Sequence, residues 1–235
     1  MNRDTLRQIA VILATLGMIT VNALANILPI NGVNTGQVSD QFQVYFVPAG
    51  YVFSIWGLIY LLLAAYTIFQ AIPAQKTNPL LQKIGWWYVL GSAANSVWIF
   101  LWHYQLFPVT LVMMLMLLAT LLVIHTHLNR EKSRSTKAMR WFVQFPFSVY
   151  LGWITVATIA NVTDVLDYLG WQGFGIDPVL WAVIMLGVAV ILAALMAFSR
   201  RDWAFLGVLV WAFIGIGQKF RGLSPLMEAA FLAAG

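Results

Sequence analysis

The sequence predicts an all-α, polytopic membrane bundle, and three observations carry that reading. Hydrophobic residues make up 61% of the 235 and charged residues only 9%, with a mean hydropathy of +0.83. So little charge leaves a soluble surface undersupplied, whereas lipid asks for none. Seven stretches are long and apolar enough to cross roughly 30 Å of hydrocarbon. Lys and Arg, finally, alternate between the connections as they do in membrane proteins.

The spans, in order, lie at about 6–28, 51–72, 84–104, 107–127, 141–163, 178–199 and 203–220. Arg3 and Arg7 precede the first, and Ala23-Leu24-Ala25 resembles a signal-peptidase site; we read the stretch as a retained helix. Pro29, Asn31 and Gly32 end it. Pro73 and Pro79 separate the second span from the third, and Pro108 the third from the fourth. Asp177-Pro178 opens the sixth with Pro in a favourable first-turn position. The tail "PLMEAAFLAAG" reads as the start of a further helix too short to cross. The fourth and sixth spans, "LVMMLMLLATLLVI" and "VLWAVIMLGVAVILAALMAF", are almost wholly aliphatic and read as lipid-facing. Loop 29–50 is long and uncharged apart from Asp40, as lids and binding loops tend to be.

Eleven of the thirteen basic residues fall in the N-terminal segment and the loops at 73–83, 129–140 and 199–202; the alternate loops carry none. By the positive-inside rule that end is cytoplasmic, N-terminus included. Lys219 and Arg221 break the pattern. The net charge of +5 is thus a matter of topology, and nucleic acid is excluded as a partner. The chain has no cysteine, which removes disulfides and thiol chemistry.

Residues three, four and seven apart share a helix face. Phe53, Trp56 and Tyr60 do so in the second span. Tyr88, Gly91, Asn95, Trp98 and Trp102 do so in the third, and Tyr150, Trp153, Ala157 and Asn161 in the fifth. Converging, the three stripes would wall one space with rings and amides, suited to a flat, mostly apolar molecule. The alternative is plain helix packing, because aromatic stripes and Asn pairs also join helices.

The same residues resemble the TspO/translocator-protein family, also called tryptophan-rich sensory proteins. "IWGLIY" at 55–60 is similar to its second-helix motif, "NSVW" at 95–98 to its third-helix Asn-Trp segment, and "WITVATIAN" at 153–161 to its fifth-helix pattern. The resemblance implies a five-helix core over 1–165 with a pocket lidded by the loop between helices one and two. Residues 166–235 would add two transmembrane helices and a partial third. It implies a multi-pass protein of a bacterial inner membrane, with membrane lipid and a hydrophobic small molecule as partners. The ligand would be a tetrapyrrole (porphyrin, haem or chlorophyll-type), with no obligatory cofactor and no enzymatic activity of the chain's own. Trp56, Asn95 and Trp153 would hold it, with Tyr60, Trp98 and Ala157 lining the pocket. A homodimer, or a place as accessory or assembly subunit of a larger pigment-carrying photosynthetic complex, is the alternative role. After Asn161 the chain reads "VTDVLDYLG", where Asp164 and Asp167 replace the Tyr-then-basic pattern associated with sterol binding.

Other chemistry finds little support. His125 and His127 are two apart on a helix and point away from each other; His103 reads as interfacial. The polar residues within the spans (Asn22, Asn26, Asn95, Gln144 and Asn161) are neutral, which argues against ion-coupled transport. The charged run from Asn129 to Arg140 reads as a solvated loop meeting anionic lipid.

Overall fold

Prolines and short polar caps decide where the helices begin. The structure, a computed structural model, describes residues 2–28 and 30–235. Helix α1 (Arg3–Ile27) opens on Asn2, whose side chain accepts the Asp4 N–H at 3.1 Å. A single-turn helix α2 (Thr35–Ser39) is closed by a reciprocal box between Asn34 and Gln37. A 3₁₀ turn at Gly50–Ser54 leads into α3 (Ile55–Ala71). Helix α4 (Pro79–His103) starts on Asn78-Pro79, with the Asn side chain accepting from Leu80 and Leu81. Helix α5 (Phe107–Arg130) carries Pro108 in its first turn, where a missing N–H does no harm.

A short α6 (Lys137–Met139) runs through a π-helical turn, Arg140–Gln144, into α7 (Phe145–Tyr168). Pro146 accounts for the wide turn. It has no N–H to give the fourth residue back, and its ring would strike that carbonyl in a regular helix. Helix α8 (Pro178–Arg200) starts on Asp177-Pro178, and α9 (Trp203–Lys219) on Asp202, which accepts the Phe205 N–H at 3.1 Å. Lys132 Nζ donates to the Arg200 carbonyl at 2.6 Å, a cation on a helix end that presents bare carbonyls. Helix α10 (Ser224–Ala234) is 11 residues long, too short to cross.

Among the described residues there is no strand, and five helical stretches are long and apolar enough to span: α1, Gly50–Ala71, α5, Lys137–Tyr168 and α8. This is a multi-pass membrane protein. Of the seven spans expected, α4 has the length, 25 residues or about 37 Å, but its amides, glycines and indoles lower its hydropathy. Helix α9 stops at 17 residues.

Helix α1 packs between α3 and α4, α4 packs on α5, α5 on α7, and α7 returns to α3. Five helices thus close a ring. Helix α9 packs on α7 and on Gly50–Ser54, flanked by α8 and α10. Small residues set the closest approaches, as they do between membrane helices. A Cβ on Gly91 would come within 2.6 Å of Thr120 Oγ1, and one on Gly152 within 3.1 Å of the Phe205 carbonyl.

One expectation is corrected. Helix α5 does not face only lipid; it sits between α4 and α7 and buries Thr110, Met114, Leu117, Leu121 and Ile124. Inside a bilayer a helix interface is no more apolar than the lipid, so an aliphatic run cannot tell the two apart. Helix α8 does keep its length exposed, with only Ala182, Leu186 and Ala189 buried.

Long-range bonds sort the loops into two ends. Arg7 donates to the Lys76 carbonyl at 3.0 Å, and Lys132 to that of Arg200, which gathers the basic segments. At the opposite end Asn31 donates to the His103 carbonyl at 3.0 Å. Lys219, one of the two exceptions to the charge pattern, lies there with its Nζ 3.9 Å from Asp40 Oδ1. The lone acid of the long loop answers the misplaced base.

Candidate functional site

At the end away from the basic loops, the helix ring encloses a cavity of about 490 Å³. That lies within the range of roughly 300–1,000 Å³ usual for small-molecule sites. The 3₁₀ turn contributes Phe53 and helix α3 Trp56 and Tyr60; α4 contributes Trp98 and Trp102; α7 contributes Trp153, Ala157 and Asn161. Eight of the twelve residues on the three stripes therefore meet around one space.

The rings brace one another. Trp56 stacks on Tyr60 with centroids 5.5 Å apart and meets Trp153 edge-on at 6.1 Å; Phe53 meets Trp153 edge-on at 5.8 Å. Across the cavity Trp98 stacks on Trp102 at 5.1 Å. Such offset and edge contacts stiffen the walls beyond what burial alone gives. The amides are fixed too. Trp98 Nε1 donates to Asn161 Oδ1 at 3.2 Å, and Asn161 Nδ2 donates to Thr110 Oγ1 at 3.0 Å, which ties α4, α7 and α5 together.

Asn95 and Tyr150 stand behind this wall and do not line it. Asn95 accepts from Asn22 Nδ2 at 2.7 Å and donates to the Tyr150 hydroxyl at 3.1 Å, joining α1, α4 and α7. Asn22, together with Asn26, takes the place on the cavity surface. Their spacing of four on one helix face was the signal for them in the sequence.

The long loop covers the mouth. Trp102 Nε1 donates to the Thr35 carbonyl at 3.2 Å. His103 is fully buried, with Nδ1 donating to the Ile30 carbonyl at 3.1 Å and Nε2 3.0 Å from Thr35 Oγ1. It is a tether for the loop, not the interfacial side chain the sequence suggested. Asn34, Thr35, Gly36, Ser39 and Asp40 line the rim, and Lys219 of α9 joins them.

Two residues that line the cavity each bury a polar atom that lacks a hydrogen-bond partner among the described residues, Trp153 its Nε1 and Asp164 its Oδ1. Their residues are 2% and 5% exposed. Most buried polar groups are paired, so each such orphan needs a reason.

The model of the family described as TSPO-like protein matches residues 8–235. The chain belongs to the TSPO-like family. The match continues beyond residue 165 through α8, α9 and α10. Comparison with curated proteins and with solved structures gave no match.

In this TSPO-like protein α9 reaches the cavity through Lys219 and braces the chain beside it. Trp211 Nε1 of α9 donates to the Val52 carbonyl at 3.1 Å, and Ala49 N–H donates to the Gly215 carbonyl at 3.1 Å. A second cavity, of about 780 Å³, lies between the 43–46 stretch, the end of α7 and the start of α8. Its polar groups are spoken for or solvated. Trp181 Nε1 donates to the Gly173 carbonyl at 2.8 Å and Asp177 caps α8. None of the unpartnered buried atoms found among the described residues belongs to it, and the first cavity is the better site.

At the basic end of the TSPO-like protein, His125 Nε2 donates to Asp202 Oδ2 at 2.9 Å and Ser148 Oγ donates to the same oxygen at 2.6 Å. Burial pushes the Asp202 carboxyl up, but these two bonds and the Phe205 N–H outweigh it and hold the group below its ordinary range. The serine gives its proton to the carboxylate and not to the imidazole. A nucleophilic relay needs the opposite order, so the cluster is a clasp between α5, α7 and the start of α9.

Proposed function

We propose that this TSPO-like membrane protein binds a flat, mostly apolar ring molecule of the tetrapyrrole type in the α3–α4–α7 cavity, and carries or senses it. The observation that supports this best is the orphaned Trp153 indole N–H within a wall of edge-packed rings. A rigid aromatic slot favours a planar guest by stacking, and a dry indole N–H favours one polar atom on it. Plain helix packing gives no reason to leave that N–H unpaired. The gathering of basic segments at one end supports a cytoplasmic N-terminus in a bacterial inner membrane, with the cavity opening toward the other side.

The test is a titration of purified protein in neutral detergent with protoporphyrin dimethyl ester, read by tryptophan fluorescence and by the porphyrin's own absorbance. Saturable binding at micromolar concentration that weakens in both Trp56→Ala and Trp153→Ala is expected. Saturable binding unchanged in both variants would remove the cavity as the site.

A further inference from the structure

The charged groups lining the cavity are three: Asp164 on α7, Asp40 on the loop and Lys219 on α9. They are not equivalent. Asp40 is largely exposed and Lys219 is one-third exposed, and the two face each other at 3.9 Å. Lys219 also lies over the Phe220 ring, 5.8 Å from its centroid. Asp164 is 5% exposed, and its Oδ1 has no hydrogen-bond donor among the described residues. Asp167 follows on the same helix but is exposed and lines the second cavity, not this one. Two carboxyls against one ammonium leave the cavity with an acceptor in excess, and that acceptor is buried.

We infer that Asp164 makes the cavity selective by charge, so that it takes ring ligands presenting a protonated amine or other N–H donor and disfavours ligands with free carboxylates. This rests on the cavity being the binding site and adds which members of the ligand class it accepts. A donor-bearing guest supplies the partner Asp164 lacks. A carboxylate-bearing guest brings a like charge into a low-dielectric space whose one ammonium is already shared with Asp40. Trp153 Nε1 is itself a donor but makes no hydrogen bond to Asp164, so Asp164 is left to find its donor on the guest.

The experiment uses one ring in three charge states: protoporphyrin with both propionates free, the same ring as its dimethyl ester, and the same ring with both propionates converted to aminoethyl amides. Each is titrated into the full chain in neutral detergent at pH 8.5. The diamine should bind at least about tenfold more tightly than the diacid, with the ester between. Asp164→Asn should bring the three within about threefold of one another. Lys219→Gln, which removes the lining's one cation and leaves Asp164 in place, should widen the gap, and it serves as the second variant should Asp164→Asn fail to fold. Equal affinities in the wild-type chain, or a preference for the diacid, would overturn charge selection while leaving the cavity as the site. A diamine preference that survives Asp164→Asn would likewise overturn it. Saturable binding of none of the three would remove the cavity reading, and charge selection with it.

Discussion

Trp211 of α9 donates its indole N–H to the backbone carbonyl of Val52, 159 positions away in the chain, at 3.1 Å. The bond pins the 3₁₀ turn that leads into α3, and with it Phe53 and Trp56 on the cavity wall. Tyr51 packs edge-on against the same indole with centroids 5.4 Å apart. Replacing Trp211 by Phe keeps most of that ring contact and deletes the donor. About 1 kcal/mol of local stability should be lost. Amide hydrogen exchange over residues 50–54 should then quicken about fivefold, while exchange in the middle of α4 stays unchanged.

Gly152 and Gly57 should respond in opposite ways. A side chain at 152 would meet the Phe205 backbone and Val208, each within about 3 Å, whereas one at 57 would meet nothing within 4 Å. Gly152→Val is expected to force α7 and α9 apart at a cost of about 1–3 kcal/mol, seen as a lower unfolding temperature in detergent. Gly57→Ala should raise stability by about 0.5–1 kcal/mol, since helix formation then costs less backbone entropy.

The Asp202 clasp sets a pH limit. Its carboxyl is held below the ordinary 3.8 by the His125, Ser148 and Phe205 donors, which outweigh the upward push of burial. A depressed folded value means the stabilisation is complete above the ordinary value and is lost as pH falls through the folded one. Thermal stability should therefore decline below about pH 4. Asp202→Asn should already be less stable at pH 7, by about 2 kcal/mol for the lost charge-assisted bonds, and should lose this contribution to the acid decline.

Asn95 and Trp153 offer a contrast between brace and contact. Asn95→Ala takes the acceptor from Asn22 and the donor from Tyr150, and should lower the unfolding temperature by the equivalent of about 1 kcal/mol, with little change in porphyrin affinity. Trp153→Ala should do more to affinity than to the melting point per unit of surface removed. Equal affinity losses in the two variants would show that Asn95 reaches the ligand after all.

Helix positions were legible in the sequence because Asn78-Pro79, Asp177-Pro178 and the loop prolines are local signals that need no tertiary context. The ring stripes were legible for the same reason: a spacing of three and four puts Phe53, Trp56 and Tyr60 on one face wherever the helix goes. Depth was not. Asn95 shares a face with Trp98 and Trp102, and Tyr150 with Trp153, yet each pair divides between the cavity surface and the layer behind it. Periodicity fixes an azimuth and says nothing of radius. The part played by α9 was also hidden, since Trp211–Val52 and Gly215–Ala49 join stretches far apart in the chain and leave no repeat behind. Only Lys219, out of place by charge, hinted that this helix belonged to the site.

The loop over the cavity is moored on two different helices. Its first half holds to α4, through Thr35 on Trp102 and His103, and Phe42 packs on Trp102 and Phe107. Its last part holds to α9 and the residue after it, through Ala49 on Gly215 and Tyr45 on Phe220, while Asp40, before Phe42, faces Lys219. Any tilt of α9 relative to α4 must then stretch or slacken the stretch between, altering the aperture while every wall residue stays in place. Substitutions on the lipid side of α9, far from any guest, should therefore register in how fast a guest comes and goes.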